Sequence, residues 1–354
     1  MKVRIIAVAT LLCLFANFAA SAAQRDNRSE RAGAKRVVRV NRLVPILPAS
    51  DGVVVFQSKK FLTDGLPRLL ASKPDVLSTI TSHLSEIQRT TGIDLRQFDE
   101  LAVGVNLKKD AAGKIDADPV AIASGDINAA ALIAIAKLAA NGTYREESIA
   151  GRTVYVFAAK DAAKQAAAQA AASKVAGMID KAVRGMTTEV AVTAFDRNSL
   201  VLGSIDRVRE TLEGRSHPTM DVTSLLSKNP TATLNFALKT PTGLDGFFKL
   251  GNDEFGKNLR AIQYLSGSFD VNAVGATLSV AARTGKPADA NSIKATLDGL
   301  QMLGGGIFGN AKAPDKQVYG RLINNAKIGQ AGNDVTLDIA IPQADVDTLI
   351  SLLK

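Results

Sequence analysis

The chain has 354 residues, 46% of them hydrophobic, enough for a sizeable core in one large domain or two of ordinary size. It carries 43 Lys and Arg against 34 Asp and Glu, with one cysteine, two histidines and no tryptophan. That inventory excludes a disulfide framework and a Cys/His metal site, and 5% aromatic residues leave little to stack nucleic-acid bases.

The chain opens MKVRIIAVATLLCLFANFAASAAQ. Lys2 and Arg4 precede an apolar run from Ile5 to Phe15, and small residues at Ala20, Ser21, Ala22 and Ala23 suit a signal peptidase. The run is too short to span a bilayer core of about 30 Å. Leu12 stands before Cys13 where lipidation needs a small residue, so residues 1–23 read as a cleavable signal peptide. Its removal takes away the lone cysteine, and an exported chain without disulfides must be held by burial. Residues 24–43 read as a basic flexible arm, since 24–42 hold seven basic residues and two acids. The rest, 43–354, has 34 basic against 32 acidic residues, a net charge of only +2. The basic character is largely the arm's, which makes a nucleic-acid partner unexpected and peripheral contact with an anionic membrane through the arm the alternative to a plain spacer.

Pro45 and Pro48 punctuate the start of the body. Val53 to Phe56 predicts a strand, followed by helix within Phe61 to Thr91, broken near Pro67 and Pro74. Val76, Ile80, His83, Leu84 and Ile87 recur at helical spacing and predict one buried stripe, with Gly92 closing the helix. Glu100 to Val105 and Pro119 to Ala123 read as a hairpin through KKDAAGKIDAD, then comes a helix from Ile127 to Ala140. Tyr144 to Ile149 and Arg152 to Phe157 form the next hairpin, turning at Ala150-Gly151. An Ala-rich stretch from Ala158 to Gly185 predicts an inserted surface helix. Glu189 to Phe195 and Ser199 to Leu202 make another hairpin, leading to a helix at Arg207 to Glu213.

GRSHPTMDVTSLLSKNP, residues 214–230, reads as a boundary. Beyond it Ala232 to Leu238, Ser268 to Ala281 and Val335 to Ile341 predict strands, and Asp289 to Leu303 and Ala344 to Leu353 predict helices. Asp126, Asp206 and Asp345 stand at strand-to-helix joints where a cap or first-turn acid satisfies free amides. The expected fold is α+β, with mostly antiparallel sheets and helices packed on them. Two loosely related halves, 44–215 and 216–354, are expected from repeated hairpin-plus-helix units.

Residue types carry little chemistry. Gln57-Ser58-Lys59-Lys60 after the first strand lacks the glycines of a phosphate loop, and Thr284-Gly285-Lys286-Pro287 lacks its Ser or Thr. His83 falls on the apolar stripe, where a half-buried place is expected, and His217 in a solvated loop. Asp110, Asp116 and Asp118 do not follow a calcium-loop spacing, and Ser351-Leu352-Leu353-Lys354 spells S-x-x-K only at a chain end. Met302 to Gly309, with three consecutive glycines, reads as a helix end followed by a tucked loop. No catalytic, cofactor or metal residues are assigned.

The Leu47-Pro48-Ala49-Ser50-Asp51-Gly52-Val53-Val54-Val55-Phe56 segment, Gly92-Ile93-Asp94 and Val201-Leu202-Gly203-Ser204 together resemble uncharacterised exported bacterial α+β proteins, over about residues 47–214. That resemblance implies no catalytic or binding residues. The expected function is that of a non-enzymatic exported binding or interaction protein of the bacterial cell envelope, periplasmic or extracellular, with a protein or envelope component as partner. A carrier of a lipid or other hydrophobic ligand and a carboxylate-dependent hydrolase are the alternatives.

Overall fold

The computed structural model describes residues 41–109, 115–158, 189–240, 254–309 and 313–352. The signal segment, nearly all of the arm, the Ala-rich stretch and Asp110 lie outside them. In chain order the strands are β1 (Gly52–Phe56), β2 (Phe98–Lys109), β3 (Ile115–Gly125), β4 (Tyr144–Ile149), β5 (Arg152–Ala158) and β6 (Glu189–Asp196). They continue as β7 (Ser199–Gly203), β8 (Leu234–Lys239), β9 (Ile262–Asn272), β10 (Gly275–Thr284), β11 (Lys327–Ala331) and β12 (Asp334–Pro342). The longer helices are α1 (Pro74–Thr91), α2 (Ala129–Ala139), α3 (Ile205–Glu213) and α4 (Met220–Leu226). After these come α5 (Glu254–Arg260), α6 (Pro287–Gly309), α7 (Pro314–Asn325) and α8 (Gln343–Ser351). The fold is α+β with antiparallel pairing.

Two compact units divide the chain. The described residues of the first come from 41–50, 78–106 and 117–218, those of the second from 51–77, 107–116 and 219–352.

The first unit orders its strands β2-β3-β7-β6-β5-β4. Val120 to Ser124 of β3 and Ser199 to Leu202 of β7 are buried without a break, so both faces of this pair are covered. Helix α3 packs on β6 and β7, and α2 on β6. Gly125 is required by close approach, because a Cβ there would stand 2.0 Å from the Gln97 carbonyl oxygen. The hairpin β4–β5 turns on Ala150 and Gly151, both at positive φ, as a two-residue turn between right-twisted strands demands. Arg42 donates to Ser124 Oγ at 2.9 Å, and the Leu43 amide donates to the buried Glu100 carboxylate at 3.4 Å. The described end of the arm, 41–43, is therefore a turn held against the first unit, and Leu43 is buried.

In the second unit the order is β11-β12-β10-β9-β8-β1. Ile262, Ala290, Ile293 and Val335 form a core under α6, with Leu259, Ala282, Leu297 and Ile328 around it. Met302 to Gly309 departs from expectation: α6 runs on through all three glycines to Gly309. A Cβ at Gly304 would approach Ile323 to 3.1 Å, and one at Gly305 would stand 2.5 Å from Asn324 Oδ1, so the glycines let α7 lie close. Met302, Leu303 and Ile307 stand exposed along this helix.

Other expectations are corrected too. Pro67 does not break its helix, since a π-helical turn over Phe61–Gly65 leads into Leu66–Leu69 and accommodates the missing amide. Ser268 to Ala281 is not one strand but the hairpin β9–β10, whose turn residues Ala273 and Val274 look strand-like. The stretch 214–230 does contain the passage between the units after Pro218, and beyond it α4. At the start of α2 the cap is Asn128, whose side chain accepts from the Ala131 amide at 3.1 Å, whereas Asp126 lies outside the helix.

Candidate functional site

Strand alternation builds the site. On one face of the second unit's sheet, register aligns Asn235, Ser268, Ser279 and Asp338 as a rung across β8, β9, β10 and β12. The next rung is Ala237, Ser266, Ala281 and Thr336, and the third is Lys239, Tyr264, Arg283 and Asp334. Intervening residues such as Leu265, Phe269, Leu278 and Leu337 point to the other face, as a period of two requires. One face is thus apolar while the other carries hydroxyls, amides and ions.

The third rung is locked. Arg283 holds Asp334 with two hydrogen bonds, Nε to Oδ1 at 2.7 Å and Nη2 to Oδ2 at 3.0 Å, and Lys228 Nζ reaches Oδ2 at 3.1 Å. The Arg283 hydrogen bond, followed by that of Lys228, keeps the Asp334 carboxyl below the usual carboxylate range, and the Arg283 guanidinium is raised in turn by Asp334. Tyr264 donates its hydroxyl to Asp221 of α4 at 3.0 Å, and burial with that bond pushes the phenol up. The bond ties α4 over this face, and Val222, Leu225 and Leu226 bury its underside.

The first two rungs stay open. Between them, α4 and the following loop lies a cleft of about 130 Å³, lined by Asn229, Asn235, Ser266, Ser268, Ser279 and Thr336. Asp338 and Lys228 stand at its margin, and Leu225 contributes its apolar side. Asn229 donates to Ser268 Oγ at 2.8 Å, and its backbone carbonyl accepts from Asn235 Nδ2 at 2.7 Å, which pins the loop over the first rung. Among the described residues, the hydroxyls of Ser266, Ser279 and Thr336 and the carboxylate of Asp338 have no protein partner.

Farther along the same unit, Lys60 and Thr233 each place a hydrogen bond at 2.7 Å on Asp270 Oδ1. Burial opposes the charge of Asp270, but these bonds outweigh it and hold the carboxyl low. This cluster secures the segment after β1, the stretch that sequence pattern compares with a phosphate loop.

The residues weighed from sequence lie elsewhere and do not converge. His83 is exposed, because the half-buried arc of α1 runs through Leu77, Ile80 and Leu84 and turns His83 outward. His217 is exposed as well. Ser351 donates to the Asp347 carbonyl within α8 at 2.8 Å, and Thr284 Oγ1 donates to the Lys286 carbonyl at 2.8 Å in a turn. Asp206 and Asp345 occupy first helical turns, and Asp345 is buried against Arg321. No group of three metal-ligating side chains occurs among the described residues. Sequence reasoning missed the cleft, although Tyr264, Ser266, Ser268 and Asp270 alternate visibly with Leu265, Gly267 and Phe269.

No family model matches the chain, and no curated protein matches it. Solved structures similar to it include two crystal forms of TP0453. Crystal form III of TP0453 shares 12% identity at a TM-score of 0.41, covering 87% of this chain and 97% of that one. Crystal form I of TP0453 shares 12% at 0.40, covering 89% and 98%. No described helix is long and apolar enough to cross a membrane.

Proposed function

We propose that this chain is a non-enzymatic exported binding protein of the bacterial cell envelope, and that its binding site is the polar cleft of the second unit. One observation carries the reading: three hydroxyls and a carboxylate face one space, and no protein group among the described residues satisfies them. Ser266 is buried, Ser279 and Thr336 are half-buried and Asp338 is exposed at the mouth, so these groups are offered to whatever enters the cleft. Hydrolysis by carboxylates needs two acids facing one space. Here Asp334 is engaged by Arg283 and Lys228, which leaves Asp338 to face the cleft without an acidic partner. Export rests on the signal-like N-terminus and the absence of cysteine after it.

The test is amide NMR of the isotope-labelled chain with small polar molecules added one at a time. Shifts gathered at Ser266–Ser268, Ser279–Ala281 and Thr336–Asp338 are expected. Shifts scattered over the surface, or none, would overturn the assignment. Cell fractionation that finds the full-length chain, Met1 intact, in the cytoplasm would overturn export.

A hydrophobic-ligand carrier has its own supporting observation. On the opposite face of the same sheet Leu234, Phe236, Leu238, Leu265, Phe269 and Leu278 are only half-buried. Native mass spectrometry of the purified chain separates this reading from the first, since a carrier retains lipid and the cleft-binding protein does not.

A further inference from the structure

We infer that the ligand of this cleft is a neutral polyol fragment with adjacent hydroxyls, of glycerol to monosaccharide size; this rests on the cleft being the binding site. Charge is the first ground. The ionised groups on and beside the cleft's rungs are Lys228, Arg283 and Lys327 against Asp221, Asp334 and Asp338, three of each sign; Lys228 and Arg283 are spent on Asp334, and Lys327 stands opposite Asp338 in register. A free anion is repelled by Asp338 and a free cation by Lys327, so neither sign gains from the pair as a whole. A neutral ligand meets neither penalty.

Hydrogen-bonding capacity is the second ground. Ser266, Ser279 and Thr336 each offer one donor and two acceptor sites, while Asn235 Oδ1 and Asp338 only accept. A ligand hydroxyl does both, so two adjacent hydroxyls can donate to Asp338 or Asn235 while accepting from the serine and threonine hydroxyls. Register supports this spacing, because Ser279 and Asp338 are direct cross-strand neighbours and Thr336 lies two residues along from Asp338. Neighbouring strands stand about 4.8 Å apart, so two adjacent ligand hydroxyls lying above them can each reach a side chain of a different strand at about 2.8 Å.

Size is the third. The cleft is open to solvent on one side, so its volume of about 130 Å³ encloses a few carbons with their hydroxyls and leaves the remainder of a larger sugar outside. Leu225 and the Ala281 methyl supply an apolar wall for the carbon side. The same chemistry comes from two sources, a free polyol or the end of an envelope glycan.

The experiment uses the whole chain in amide NMR titrations with glycerol, methyl α-D-glucopyranoside, maltotriose, inorganic phosphate, glycine and 1-butanol. Glycerol and the glucoside are expected to shift the cleft amides, with affinity on the order of 1 mM for so few atoms. Maltotriose binding at least about tenfold tighter assigns the glycan end, and equal or weaker binding assigns the free polyol. The double variant S279A/T336V is expected to weaken the response about tenfold while its remaining amide spectrum stays that of the folded chain. Cleft shifts caused by phosphate, glycine or butanol but not by polyols would overturn the ligand class and leave the site standing. Absence of cleft shifts with every probe would overturn both. S266A serves as a second variant, and an unchanged response in both variants would also sink the assignment.

Discussion

The two units treat their sheets differently. In the first, Val120 to Ser124 and Ser199 to Leu202 are buried residue after residue, so both faces are packed and the strands serve stability. In the second, β9 and β10 alternate, with an apolar face under α6 and a polar face of serines, threonine, asparagine and ions under α4. A doubly covered sheet has no room for unpaired hydroxyls. A sheet with one polar face can hold them, provided its other face supplies the core. On the proposed reading, binding chemistry belongs to the second unit and structural rigidity to the first.

Substitutions can break or sharpen that contrast. The largest effect is expected from Gly125→Val, which forces a side chain into the Gln97 carbonyl at 2.0 Å. A loss of more than about 3 kcal/mol is expected in chemical unfolding, and a variant nearly as stable as the parent would show that the first unit is not closely packed. Ile122→Ala removes a fully buried side chain beside Val201 and should cost about 2–5 kcal/mol. Asp334→Asn in the second unit should cost about 1 kcal/mol, because its partners are partly exposed. Its depressed carboxyl contributes fully above the unfolded value near 3.9 and loses that contribution as pH falls through the lower folded value. The variant should flatten the acid limb of a stability-against-pH curve, and an unchanged limb would mean the ion cluster is not formed in solution. Smallest is Ser266→Ala, expected to alter stability little, because a buried hydroxyl without a protein partner returns no bond for its desolvation, while lowering polyol binding; a large stability loss would show that the hydroxyl is bonded within the protein.

Much of the first unit was legible. Continuous apolar runs, the Ala150-Gly151 turn and Ser204 before α3 are local signals, and local geometry follows them. The second unit was harder to read for physical reasons. Asn272-Ala273-Val274-Gly275 turns a hairpin with two apolar residues at its centre, so pattern alone merges β9 with β10. Once they merge, the alternation that defines the polar face loses its register. The three glycines of α6 look like a helix end until α7 lies against them, a contact no local window contains. Asp126 looks like a cap, but the helix begins after Asn128 because the backbone first donates from Asp126 to the Gln97 carbonyl at 2.8 Å. The cleft itself depends on pairing β10 with β12, whose residues Ser279 and Asp338 are far apart in the chain. Nothing in either segment alone announces a site.

A crystal structure of the chain grown with methyl α-D-glucopyranoside tests the central claim most directly. The account predicts the sugar between α4 and the sheet, its hydroxyls on Ser279, Thr336 and Asp338, with Asp334 still held by Arg283. A cleft closed by hydrogen bonds among its own side chains, or a sugar bound elsewhere while the cleft holds only water, would contradict it.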